Sequence, residues 1–173
     1  MTTRPAPKPG VNLADQRGSE GAPPRIIHYL HPGAMVVSSR PMEVKTILGS
    51  CVTVCLWDPG TKIGGANHFL LPTPTEQVRG RLRHGPSAIE ALVDKMEKYG
   101  ANVNDLRAHV AGGSAIIEGL TQSIGNLGQR NRDVALDELR NRRIPVLSVH
   151  CGGSTGRKLY FHTDTGHVEV ILL

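Results

Sequence analysis

TILGSCVTVCLWDPGTKIGGANHFLLP, Thr46 to Pro72, is the stretch whose reading decides the fold. A Gly49-Ser50 turn delivers Cys51 into a run of alternating side chains. Val52, Val54 and Leu56 fall on one face, and Cys51, Thr53, Cys55 and Trp57 on the other. Both faces are largely apolar, which predicts a central strand rather than an edge. Asp58-Pro59-Gly60 turns the chain, and Ile63 to Leu71 returns as a second strand, with Gly64 and Gly65 permitting close backbone approach. One imidazole, His68, sits in that return strand between Asn67 and Phe69.

Before this pair, Met1 to about Pro24 is rich in Pro, Gly, Thr and Ala without a periodic apolar face, so a disordered tail is expected. Residues 25–173 are expected to form a single domain. Ile26 to Leu30 and Met35 to Val37 read as short strands around the turn signal His31-Pro32-Gly33. After Pro72 the polar residues to Gly85 read as an exposed loop. Ser87 to Tyr99 is the clearest helix, with Ser87 and Glu90 at capping-box spacing, Ile89, Leu92, Val93 and Met96 on one stripe, and Gly100 as terminator.

Arg107 to Ala111 reads as a strand entering Gly112-Gly113, and Thr121 to Arg130 as a loop because of Gly125 and Gly128. Asn131 or Asp133 is expected to cap a second helix to about Arg142, stopped by Pro145. Val146 to Val149 is a strand, and Leu159 to His162 with Val168 to Leu172 make a hairpin across Asp164-Thr165-Gly166. Mostly antiparallel or mixed strands with two main helices predict an α+β fold, a layered α/β sandwich.

Composition narrows the function classes. Three cysteines in 173 residues is an odd number without a dense framework, which predicts free thiols in a reducing compartment. The sequence carries no long apolar run and no charged-then-apolar leader, so a soluble cytoplasmic protein is expected. The formal net charge of +5 fits a solvated surface. Arg79, Arg81, Arg83 and His84 cluster, but few aromatics stand near them to stack on bases, which argues against nucleic acid.

The chemistry concentrates on Cys51 and His68. A free thiol is only a few per cent ionised at neutral pH and needs a basic neighbour to become a nucleophile. Two strands joined by a turn can bring His68 beside Cys51 as that base. Cys51 is then expected to be the ionised, reachable thiol, with Cys55 and Cys151 buried. The Gly49-Ser50-Cys51 turn can aim successive N–H groups at an oxyanion. Thr46 or Asn67 can orient the imidazole, and the sequence does not choose between them. Zinc is the competing use of Cys51, Cys55, His68, His150 and Cys151. On a strand, however, Cys51 and Cys55 would stand roughly 13 Å apart, so no metal and no cofactor is expected.

Four segments carry a resemblance: Leu48-Gly49-Ser50-Cys51-Val52; Gly64 through Pro72, GGANHFLLP; Ile124-Gly125 with Asn131 following; and Gly152 through Lys158, GGSTGRK. From His31-Pro32-Gly33 to the C-terminus the chain closely resembles CheD, the chemoreceptor glutamine deamidases of chemotaxis. The resemblance implies Cys51 as nucleophile, His68 as general base and acid, and Thr46 as the orienting residue. Lys45 occupies the other spacing seen in the family. It implies a sandwich related to toxin-type Cys-His deamidases, methyl-accepting chemotaxis receptors as substrates, and a CheC-type phosphatase as a partner. His84-Gly85 stands where the family has Tyr-Gly, and His150-Cys151 where an acidic residue is usual. An adaptor acting mainly by binding that phosphatase is the alternative reading.

Overall fold

The computed structural model describes residues 24–74, 80–115 and 126–173. The expected tail therefore lies outside the described residues, except for Pro24, as do Arg79, the Ile124-Gly125 motif and the first half of the loop expected over 121–130. Nine strands and two α-helices are described. The strands are β1 (Ile26–Tyr29), β2 (Met35–Ser38), β3 (Met42–Leu48), β4 (Val52–Asp58), β5 (Ile63–Asn67), β6 (Arg107–Gly112), β7 (Val146–Cys151), β8 (Arg157–His162) and β9 (Val168–Leu172). The helices are α1 (Gly85–Lys98) and α2 (Leu127–Asn141).

The strands form two mixed sheets, ordered β1-β3-β8-β9 and β2-β5-β4-β6-β7. Only β1 with β3 and β6 with β7 run parallel; the other pairs are antiparallel. β4 is central in the five-stranded sheet, as its two apolar faces require. Its alternation separates two cores. Val52, Val54 and Leu56 pack with Phe69, Ile89, Leu92, Met96 and Leu139 beneath the helices. Cys51, Cys55 and Trp57 face the other sheet, against Val44, Leu48, Leu159 and Phe161. The chain has only two phenylalanines, and each anchors one core. The layers are thus sheet, sheet and helices, which is the α+β architecture expected from the sequence.

The helix starts differ from the expectation. α1 begins at Gly85, and its N-cap His84 makes no side-chain cap bond. Pro86 suits the first turn, where no N–H partner is needed. Ser87 lies inside that turn and donates to the Arg81 carbonyl at 2.6 Å instead of forming a capping box. Gly100, at φ 100°, ends the helix as expected. α2 begins four residues before Asn131, capped by Asn126, whose side chain accepts from the Gln129 N–H at 3.1 Å. Gly128 is a contact residue rather than a breaker. A Cβ there would meet the Gly113 carbonyl group at 2.5 Å, so the helix backbone rests directly on the end of β6.

Among the described residues no helix is long and apolar enough to cross a membrane. Arg81 pairs with Glu90 at 2.9 Å on α1, so this member of the basic cluster belongs to a solvated ion pair.

Candidate active site

The Gly49-Ser50-Cys51 turn is built from the outside. Gly49 is not among the residues with positive φ; the left-handed glycines here are Gly112, at φ 115°, and Gly113, at φ 65°. A side chain on Gly112 would collide with the Cys51 carbonyl oxygen. That close approach lets the Gly113 N–H donate to the Cys51 carbonyl at 2.8 Å and the Ser114 N–H to the Gly49 carbonyl at 2.8 Å. Asn131 on α2 donates to the Ser50 carbonyl at 2.9 Å. All three carbonyls of Gly49-Ser50-Cys51 are therefore held.

Ser114 is itself clamped. Its hydroxyl donates to the Thr155 carbonyl at 2.7 Å and accepts from Arg157 at 2.8 Å. Arg157 is 4% exposed and also donates to the His150 and Gly152 carbonyls. The GGSTGRK segment thus supports the turn from below, a role its sequence did not announce.

His68 follows β5 and continues its register. Val52 and Phe69 exchange backbone bonds at 3.1 and 3.0 Å, in line with the Cys55–Ala66 pair further along. Counting along that register sets Thr53 opposite His68 and Cys51 opposite Leu70. Cys51 and His68 are then diagonal neighbours on the inter-sheet face, a relation that puts Cα atoms roughly 7–8 Å apart. The His68 backbone is fixed on its other side: its N–H donates to Ala34 at 3.0 Å and its carbonyl accepts from Gly33 at 2.7 Å.

The orienting group is decided by the second sheet. Thr46 on β3 lies 2.9 Å from His68 Nδ1 through its Oγ1. The same hydroxyl donates to the Leu30 carbonyl at 2.8 Å. A hydroxyl has one proton, and it goes to the carbonyl, so Oγ1 must accept from His68. The imidazole therefore carries its proton on Nδ1 and leaves Nε2 with a lone pair. That Nε2 is buried and makes no hydrogen bond among the described residues. Asn67 is not the orienting residue: its Oδ1 accepts from the Val54 N–H at 3.0 Å on the helix side. Lys45 pairs with Glu43 at 2.8 Å away from the site.

Burial sets the protonation states. His68 is 1% exposed, and burial lowers its pKa to about 4 despite an opposing hydrogen bond, so the ring is neutral at pH 7. Burial also pushes the Cys51 thiol up, partly offset by its own backbone N–H. Cys51 is therefore protonated at rest, which corrects the expectation of an ionised thiol. Cys55 is fully buried, with its thiol pushed up by burial. Cys151 is half-buried rather than buried as expected, and burial pushes its thiol up to about 11. The arrangement is a neutral thiol on the same face as a neutral base with a fixed tautomer. Among the described residues no three His, Cys, Asp or Glu side chains converge as a metal-binding group.

Sequence reading missed Asn131 and Ser114 as contacts. Asn131 lies on the buried stripe of α2 with Gly128, Ala135 and Leu139. A polar residue on an otherwise small and apolar stripe is the available signal, because buried amides require partners.

The family model for CheD chemotactic sensory transduction matches residues 70–171. Thr46, Cys51 and His68 lie ahead of that span. A protein of Anaeromyxobacter dehalogenans named "Probable chemoreceptor glutamine deamidase CheD 1" is 41% identical over 165 residues, covering 95% of this chain and 94% of its own. A protein of the same name from Shewanella oneidensis is 41% identical, covering 80% of this chain and 68% of its own. A "Probable chemoreceptor glutamine deamidase CheD" of Trichlorobacter lovleyi is 37% identical, covering 86% and 91%. The solved Bacillus licheniformis hypothetical protein YfiH superposes at TM-score 0.41 and 17% identity, over 68% of this chain and 51% of that one, too distant to bear on function. With a model match over more than half of its length and such relatives along nearly all of it, this chain belongs to the CheD family.

Proposed function

We propose that this protein hydrolyses selected glutamine side chains of methyl-accepting chemotaxis receptors to glutamate, releasing ammonia. The observation that carries the reading is the His68 lone pair. Nε2 is buried, unbonded, fixed in tautomer by Thr46, and borne on the face that holds Cys51. The names of the relatives supply the substrate class.

The steps follow from the resting charges. Cys51 Sγ attacks the carboxamide carbon as its proton passes to His68 Nε2. N–H groups of the Gly49-Ser50-Cys51 turn hold the developing oxyanion. Imidazolium then protonates the departing nitrogen, which leaves as ammonia and yields a thioester. Water attacks that carbonyl while His68 accepts its proton; the sulfur departs, is reprotonated, and glutamate is freed. Charge separates only during the reaction, because burial disfavours a standing thiolate–imidazolium pair. Catalytic contacts that are open in the free protein commonly close around substrate. A glutamate methyl ester would enter the same cycle, with methanol leaving.

Residues 25–173 act in this reading as one deamidase domain, in the cytoplasm, with the toxin-type Cys-His deamidases as distant kin in fold. A CheC-type phosphatase is the further partner. The outer face of the four-stranded sheet supports a binding role, since Ile27, Tyr29, Ile47 and Ile171 are exposed there.

The test is ammonia release from a receptor cytoplasmic fragment. Wild type is expected to release it, and Cys51→Ala and His68→Ala to lose at least about 10⁴-fold in kcat. Undiminished release by Cys51→Ala defeats the mechanism. Phosphatase binding by Cys51→Ala together with an unchanged chemotaxis phenotype would favour the adaptor reading.

A further inference from the structure

Asn131 is fully buried, and α2 brings it to the nucleophile from far along the chain. Its Nδ2 donates twice, to the Ser50 carbonyl at 2.9 Å and to the Leu70 carbonyl at 2.8 Å. Ser50 precedes the nucleophile. Leu70 is the residue opposite Cys51 in the register, two beyond His68. One amide group therefore ties the cysteine turn to the histidine strand beyond the reach of the regular ladder. Only the amide nitrogen can donate to two carbonyls, so the chemistry fixes which way the side chain is turned.

The peptide plane gives the tie a consequence. The Ser50 carbonyl and the Cys51 N–H belong to one planar trans peptide and point in opposite directions. Holding the carbonyl against α2 turns the N–H away from α2. The neighbouring carbonyls of Gly49 and Cys51 are held by backbone donors, Ser114 and Gly113. Ser50 alone depends on a side chain. The Gly113–Gly128 backbone contact explains how α2 comes close enough to supply it. Asn131 Oδ1 makes no bond among the described residues, so the amide serves here as a donor.

We propose that Asn131 is a positioning residue for deamidation: it locks the Ser50–Cys51 peptide to the strand carrying His68 and thereby aims the Cys51 N–H at the oxyanion. The inference rests on Cys51 being the nucleophile. It assigns no contact with substrate to Asn131 itself.

The experiment pairs two reactions of the same sulfur. Deamidation of a receptor fragment needs an oxyanion stabilised, whereas alkylation of Cys51 by iodoacetamide does not. Asn131→Ala and the near-isosteric Asn131→Leu are expected to lose about 10²-fold in kcat with KM within about threefold. Cys51 alkylation, read by mass spectrometry, should stay within about threefold of wild type. Asn131→Gln should recover part of the lost kcat. The proposal is overturned if kcat is unchanged, if alkylation and deamidation fall in parallel, or if both variants fail to fold. A Cys51→Ala protein that still deamidates points instead to failure of the underlying mechanism, whatever Asn131 does.

Discussion

The two faces of β4 are built to different ends. The helix-side face is dry: Val52, Val54 and Leu56 meet Phe69, Ile89, Leu92 and Met96 in one apolar cluster. The inter-sheet face mixes apolar and polar groups. It carries Cys51, Thr53 and Trp57 beside His68, and leaves Thr53 Oγ1, Trp57 Nε1 and His68 Nε2 without partners among the described residues. Unbonded buried polar atoms cost free energy. They persist because the packed face opposite holds the strand in place, a division of labour expected where a site must stay reactive. The helix side is not wholly apolar, since Asn67 and Asn131 reach into it. Both bond backbone of the segments that carry the site, and each keeps one amide atom, Asn67 Nδ2 and Asn131 Oδ1, without a partner among the described residues.

The sharpest way to break this contrast is to damage the dry face. Leu92 is fully buried against it. Leu92→Ala should cost about 2–5 kcal/mol in a urea unfolding curve. Its kcat per folded molecule should stay within about threefold of wild type. A larger fall in kcat would show that the two faces are not separable.

Thr46→Val works the other way. It keeps the shape but removes the group that fixes the His68 tautomer and satisfies the Leu30 carbonyl. The expected result is a loss of about 10²-fold in kcat. The accompanying stability cost is about 1–3 kcal/mol. Wild-type kcat in Thr46→Val would mean that backbone packing alone orients the ring.

The smallest effect is on acid stability. Folding lowers the His68 pKa to about 4, below its unfolded value near 6.5. The unfolded chain thus binds the proton first as pH falls. The contribution of neutral His68 is fully present above about pH 6.5 and is lost progressively down to about pH 4, on the order of 2–3 kcal/mol. His109 is also lowered by burial and adds to the same limb. Comparing wild type with His68→Phe in urea at pH 7 and pH 4.5 isolates the His68 share. An equal drop in both proteins would show that His68 does not titrate as its burial requires.

Helix boundaries show where reading from sequence stopped. A Ser87-Glu90 capping box was legible but unused, because Gly85-Pro86 starts the helix earlier. Gly128 read as a loop residue, yet the contact with Gly113 makes it helical. In both cases a local preference worth about 1 kcal/mol was outweighed by contacts between distant segments.

What the sequence determined by itself is the alternation of β4, its central place, the hairpin of β8 and β9, and the carriage of Cys51 and His68 on neighbouring strands. Those follow from side-chain period and residue chemistry, which are local. Only the tertiary structure decided between Thr46 and Asn67, left the resting thiol protonated, and brought Ser114, Asn131 and Arg157 to the turn. Tautomer, burial and the destination of a carbonyl depend on what the opposite sheet and α2 present, and no spacing along the chain encodes that.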